Sequence, residues 1–198
     1  NINNKKLKII HNPITRSISN HYKIKKTNLT VNFITIGRLS KEKGHLRLLD
    51  ILSKVNYDFR FTIIGEGVEF ENIKSYANSL NLTDKIKFIS YTNNVLEELG
   101  KADFFLQGSY VEGFPNTLLE SCTVGTPVIA FDCPGGTKEI VQKGINGYLV
   151  NSKEEYLSIL INKEHLFKLS PEIVIDSVVN KFDSKRIVSQ YKNLINSI

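Results

Sequence analysis

Short apolar runs alternate with helix-period stripes along this chain, and few folds admit that alternation. Val31-Asn32-Phe33-Ile34-Thr35-Ile36 reads as a strand that stops at Gly37, and Leu46, Leu48, Leu49, Leu52 and Val55 then recur at helical spacing. The cycle repeats with Phe59 to Ile64, a break at Gly65-Glu66-Gly67, and a stripe of Phe70, Ile73, Ala77 and Leu80; Ile86 to Ile89 begins a third. Phe104-Phe105-Leu106 and Val128-Ile129-Ala130-Phe131 are near-continuous apolar runs, as expected of parallel strands covered by helices on both faces. The class is therefore α/β with a doubly wound parallel sheet. From Ser152 onward the pattern is helical, ending in a segment from Asp183 to Ile198 whose Ile187, Tyr191, Leu194 and Ile195 form one stripe.

A chain of 198 residues, 41% of them hydrophobic, suits one globular domain with its own core. Cys122 and Cys133 are its two cysteines, and Cys122 sits in an apolar helical run, so a reducing, cytoplasmic setting is expected. No stretch approaches the ~20 apolar residues of a membrane span. The first residue is Asn1 rather than methionine, from which a fragment with something upstream is expected. Lys and Arg number 26 against 20 Asp and Glu, a formal charge of +6 that favours anionic partners. Because lysine is spread over the chain, a solubilising surface accounts for the excess equally well.

In an open α/β sheet the ligand crevice lies beyond the carboxyl ends of the strands, so the loops after strands are where chemistry is expected. Gly37-Arg38-Leu39-Ser40-Lys41-Glu42-Lys43-Gly44 is such a loop. Arg38 offers a planar fork and Lys43 a mobile point charge, and together they could clamp one anion, each charge-assisted bond to phosphate giving roughly 1.5–3 kcal/mol. A solvated basic turn would have the same composition. Glu112-Gly113-Phe114-Pro115-Asn116-Thr117-Leu118-Leu119-Glu120 is a turn running into a helix, with Pro115 suited to the first turn and the amides after it facing a phosphate. With Leu118, Leu119 and Cys122 on the buried side, Asn116 and Glu120 rotate to the polar side. There Glu120 can accept paired bonds from vicinal hydroxyls, as on a ribose, and Glu112 can do the same for a sugar. Gly65-Glu66-Gly67 lacks the third glycine of a dinucleotide fingerprint, Phe70 standing in its place. It reads as a tight turn, either letting a ligand approach the backbone or serving structure alone, and Cys133-Pro134-Gly135-Gly136-Thr137 carries the same two readings.

His11, His21, His45 and His165 are scattered, and neither cysteine has a partner at a zinc-site spacing, so no metal is expected. No serine sits in a G-x-S-x-G elbow. The composition of the loops suits holding a donor. Aromatic residues interleave with apolar core runs rather than basic patches, which argues against nucleic acid.

Taken in order, Gly37-Arg38-Leu39 with Lys43-Gly44, Gly65-Glu66-Gly67, Ala102-Asp103-Phe104, Glu112-Gly113-Phe114-Pro115, Leu119-Glu120, Gly125-Thr126-Pro127-Val128-Ile129-Ala130 and Asn146-Gly147 strongly resemble glycosyltransferase family four, over residues 31 to 150. The resemblance implies a GT-B enzyme of two Rossmann-like domains, of which this chain would be the C-terminal, nucleotide-sugar-binding one. Residues 1–30 would be hinge and lead-in, with His11-Asn12-Pro13 as the hinge; 31–180 would be the Rossmann-like domain, and 181–198 the C-terminal helix. It implies that Arg38 and Lys43 neutralise a diphosphate, that Glu112 contacts the transferred sugar, that Glu120 holds ribose hydroxyls, and that the segment of Phe114, Pro115, Asn116, Thr117 and Leu118 assists through its backbone N–H groups, of which Pro115 has none. Gly37, Gly65 and Gly67 would border the donor. It further implies a retaining, metal-independent transfer in which positive groups and a helix N-terminus stabilise the leaving group. The donor expected is a nucleoside diphosphate-sugar, UDP-linked. The acceptor expected is a glycan or lipid-linked molecule recognised by an N-terminal domain, with surface polysaccharide biosynthesis and peripheral membrane contact as the setting. Ser90 in place of a frequent glycine, and Pro115-Asn116 in place of a Gly-containing turn, depart from the family pattern where base and sugar are recognised. A non-catalytic nucleotide-binding subunit, or a nucleotide-sugar epimerase on a similar fold, would share the phosphate logic. The second would convert donor without acceptor, whereas the intact Arg38, Lys43, Glu112 and Glu120 set argues against the first.

Overall fold

The computed structural model describes residues 8–15, 30–162 and 167–197. Six parallel strands form one sheet: β1 (Val31–Ile36), β2 (Phe59–Ile64), β3 (Ile86–Ile89), β4 (Phe104–Gln107), β5 (Val128–Phe131) and β6 (Gly147–Val150), in the order β3-β2-β1-β4-β5-β6. This is the doubly wound order, whose direction reverses between β1 and β4. Register is direct, with Phe33 beside Phe61 and Phe104, and Ile129 beside Leu106 and Tyr148. The helices are α1 (His45–Leu52), α2 (Phe70–Ser79), α3 (Val95–Lys101), α4 (Asn116–Thr123), α5 (Thr137–Ile140), α6 (Lys153–Ile161), α7 (Pro171–Phe182) and α8 (Ser184–Ile195).

Alternation along the strands divides the core into two layers. Phe33, Phe61, Phe104, Leu106, Ile129 and Phe131 face one side with α1, α2 and α6. Ile34, Ile64, Phe105, Val128 and Ala130 face the other with α3, α4 and α7. The central strands β4 and β5 therefore read as near-continuous apolar runs, because both their faces are dry, whereas β2 and the edge strand β3 carry exposed Arg60 and Lys87. The five runs recognised in the sequence are strands β1 to β5. β4 extends one residue further, to Gln107, a polar side chain buried at the carboxyl end. No strand is expected from the pattern at β6: it is four residues long and begins with glycine, where a β-carbon would lie 2.1 Å from the Val128 carbonyl oxygen.

Several motif residues fix this framework. Asp103 accepts the Asn32 amide at 2.8 Å, tying the start of β4 to β1. Thr126 donates to the Leu99 carbonyl, and Asn146 donates to the Ile140 carbonyl and the Ser177 hydroxyl. In α8 the expected stripe is covered in part: Ile187 is buried against α7 and Leu194 is half-buried, whereas Tyr191 and Ile195 are exposed.

Candidate functional site

The loops after β1, β2, β3 and β4 meet above the carboxyl edge of the sheet. An open cleft of about 310 Å³ lies between the first three, lined by Ile36, Gly37, Arg38, Gly65, Glu66 and the segment 90–93. Its position outside β1 is where a doubly wound sheet receives a ligand. Arg38 is exposed at its rim.

Gly65 and Gly67 owe their identity to backbone packing. Both have positive φ, 148° and 157°, and a β-carbon on them would lie 1.9 Å from the Gly37 carbonyl oxygen and 2.2 Å from that of Leu39. The amides agree: Leu39 donates to the Glu66 carbonyl at 2.8 Å and Glu69 to Leu39 at 3.0 Å. Packing of both glycines against the β1 loop is what the structural reading of this turn expects. Gly65 still borders the cleft, whereas Gly67 is not among its lining residues.

Lys43 and Glu112, 69 residues apart in sequence, meet as an ion pair, with Nζ 2.8 and 2.9 Å from the two carboxylate oxygens. The Glu112 side chain is 8% exposed and that of Lys43 30%. Such a pair is far less screened than a surface one. The stem of Lys43 passes over Gly37, which borders the cleft, and carries the ammonium across to Glu112. Two further donors hold Glu112: the Ser109 hydroxyl at 2.5 Å and the Gln107 amide at 3.4 Å. Thr137 in turn donates to Gln107 and contacts the Cys133 thiol. Sequence reasoning missed Gln107 and Ser109; the signal was their position, at and just beyond a strand's carboxyl end. The loop 133–136 cradles this one: the Glu112 amide donates to Pro134, the Gly136 amide to Gly113, and a β-carbon on Gly135 would fall 1.6 Å from the Glu112 carbonyl oxygen.

Pro115 caps α4 and Asn116 begins it, so the first amides of α4 have no intrahelical acceptor. The amide of Leu118 is an exception, already donating to the Pro115 carbonyl at 3.0 Å. The Phe114 ring turns away from the cleft to stack on His11 and to meet Phe182 edge-on. The segment containing His11 is held at this corner, with His11 2.8 Å from Glu139, Asn12 bonded to Asn116, and the Ile14 amide to Phe182. Leu118, Leu119 and Cys122 are buried, Asn116 is exposed and Glu120 half-buried, the arrangement expected from the helical period. Among the described residues no group of three metal-ligating side chains occurs.

His45 opens α1 directly behind Lys43. It is 4% exposed, its Nδ1 has no hydrogen-bond partner, and burial, followed by the charge of Lys43, pushes its pKa down to about 4.

Residues 18–164 match the family model described as glycosyl transferases group 1. The lipopolysaccharide 1,6-galactosyltransferase of Escherichia coli K12 is 31% identical over 185 residues, covering 85% of this chain and 50% of that protein. The N-acetylgalactosamine-N,N'-diacetylbacillosaminyl-diphospho-undecaprenol 4-alpha-N-acetylgalactosaminyltransferase of Campylobacter jejuni is 30% identical, covering 78% of this chain and 42% of the other. Among solved structures, the lipopolysaccharide outer core galactosyltransferase WaaB in its apo form superposes with a TM-score of 0.85 at 24% identity, over 99% of this chain and 57% of that one. Anabaena HepE in complex with UDP gives 0.78 at 22% identity, over 86% and 50%. The chain spans about half the length of the curated relatives it matches.

Proposed function

This chain belongs to the glycosyl transferases group 1 family, and on that premise we propose that it is the donor-binding half of a retaining two-domain transferase. That enzyme moves a sugar from a nucleoside diphosphate-sugar, UDP-linked by preference, to a glycan or lipid-linked acceptor bound by the remainder of the protein. The observation that carries the reading is the Lys43–Glu112 pair at the reversal of strand order, which joins the β4 loop to the β1 loop that borders the cleft. A cation and a carboxylate held together there match the two ends of a donor, its diphosphate and its sugar hydroxyls.

In this reading the nucleoside enters the cleft between Arg38 and the segment 90–93, and Glu120 accepts the ribose hydroxyls. Arg38, Lys43 and the first amides of α4 then surround the diphosphate, where fixed positive groups stabilise the charge that develops as the sugar leaves. The donor's phosphate draws Lys43 from Glu112, which frees that carboxylate for the sugar. No resident metal or cofactor enters the scheme. One relative is named for lipopolysaccharide and the other for a diphospho-undecaprenol-linked sugar, which supports surface polysaccharide assembly as the setting, with the protein placed in this reading in the cytoplasm or at the membrane surface. No described helix is long and apolar enough to cross a membrane.

Calorimetric titration with UDP, GDP and UDP-sugars tests this. Binding of UDP and at least one UDP-sugar, weakened tenfold or more by Arg38→Ala and by Glu120→Ala, is the expected result, the loss being that of one charge-assisted contact, roughly 1.5–3 kcal/mol. Binding that survives both substitutions would remove the site, and conversion of donor without acceptor would favour an epimerase. Proton NMR of the first-formed product of the full-length enzyme reports the anomeric configuration, and inversion would exclude the retaining mechanism.

A further inference from the structure

Arg47 is the third residue of α1 and borders neither the cleft nor the Lys43–Glu112 pair. Its guanidinium reaches across to the loop that follows β4: Nε donates to the Gly108 carbonyl and Nη2 to that of Ser109. The same group lies 3.5 Å from the centre of the Phe131 ring and 4.0 Å from that of Tyr110. Phe131 is buried at the end of β5, whereas Tyr110 is exposed on the loop. One side chain thus joins α1, the β4 loop and the end of β5.

We propose that Arg47 is the positioning residue for Glu112. By gripping two successive carbonyls of the loop, it sets where that carboxylate meets Lys43 and, resting on the donor reading above, the transferred sugar. Ser109 is the link, since its carbonyl accepts from Arg47 while its hydroxyl donates to Glu112. Besides the Lys43–Glu112 pair itself, backbone contacts tie the two loops: the Tyr110 amide donates to the Glu42 carbonyl at 2.8 Å, and Gly44 lies against the Gly108 carbonyl. They hold the loop's height above the sheet, and Arg47 holds its lateral register. Only a planar fork bonds two carbonyls while lying flat on aromatic rings; a lysine in its place keeps the charge and loses that geometry. Beyond Ser109 the loop is solvent-facing at Tyr110 and Val111.

The test is made in the full-length protein, by measuring dissociation constants for UDP and for the UDP-sugar that binds best in the titrations above. Arg47→Lys should leave UDP affinity within about twofold and weaken the UDP-sugar about tenfold, the ratio one charge-assisted bond carries. Tyr110→Ala, an exposed substitution that spares every hydrogen bond of Arg47, should move the same ratio in the same direction. In the presence of Glu112→Gln, Arg47→Lys should cost no further sugar affinity, because residues that act through one another are not additive. Equal losses for UDP and UDP-sugar, or additive losses in the double variant, would overturn the role. A parent protein that binds UDP without preferring any UDP-sugar would overturn it also and leave the nucleotide site standing. A parent that binds neither would overturn the donor reading and this role together.

Discussion

His45 shows how far burial, with a neighbouring ammonium, can set a residue's chemistry. Held at a pKa of about 4 in the fold, it returns to about 6.5 when the chain unfolds. Between those values the unfolded chain takes up a proton that the native one refuses. Its contribution is therefore whole above pH 6.5 and is lost progressively as pH falls towards 4, amounting to about 3 kcal/mol at the acid limit. Denaturant midpoints from pH 7.5 to 5 should fall more steeply for the parent than for His45→Leu, and parallel slopes would show that the imidazole is not what titrates. At this scale the sequence was legible in part. Lys43 and Glu112 could be named from loop position and motif, but nothing in a one-dimensional pattern announces that they pair, because 69 residues separate them. Gln107 and Ser109, the other partners of Glu112, are unremarkable polar residues until β4 ends where it does.

At the scale of the element, the loops act as a stack, each seated on the backbone of the next. The β2 loop lies against the β1 loop through Gly65 and Gly67, and the 133–136 loop lies against the β4 loop through Gly135. A side chain at Gly65 would collide with a carbonyl as well as strain a positive φ, and the collision displaces the loop that carries Arg38 and Lys43. Gly65→Ala should accordingly cost at least ~2 kcal/mol of stability, more than the usual glycine-to-alanine strain, together with nucleotide affinity. Gly113 has open space where its β-carbon would stand. Gly113→Ala should leave thermal stability within about 0.5 kcal/mol of the parent, as surface changes do, and weaken UDP-sugar binding more than UDP binding. A destabilised Gly113→Ala with unchanged affinity for both would place that glycine in the fold's support instead. Strand identities were open to sequence reasoning because β4 and β5 are dry on both faces and read as runs, while β1 to β3 are short β-rich segments closed by a glycine or serine and followed by helical stripes. β6 and the Leu118 amide were not, since a glycine-led tetrapeptide has no periodicity and a capping bond leaves no mark on composition.

Over the whole molecule the two apolar layers share their strands: Phe33 and Ile34, adjacent in β1, face opposite layers, as do Phe104 and Phe105 in β4. Neither layer can open without exposing the back of the other's sheet. Unfolding should be one transition, with far-ultraviolet and near-ultraviolet circular dichroism coincident. Phe105→Ala should lower the midpoint, costing about 3–5 kcal/mol, without splitting it. Two separated transitions would mean that the layers are independent. The family's group 1 membership and its doubly wound class follow from the sequence by itself, because alternating runs and stripes, glycine stops and an ordered series of motifs are local properties of the chain. The reversal of strand order at β1 and β4, the meeting of Lys43 with Glu112, the reach of Arg47 across to the β4 loop and the lone imidazole of His45 were decided by tertiary structure. Each depends on which distant segments the sheet brings side by side, and on how much water that leaves between them.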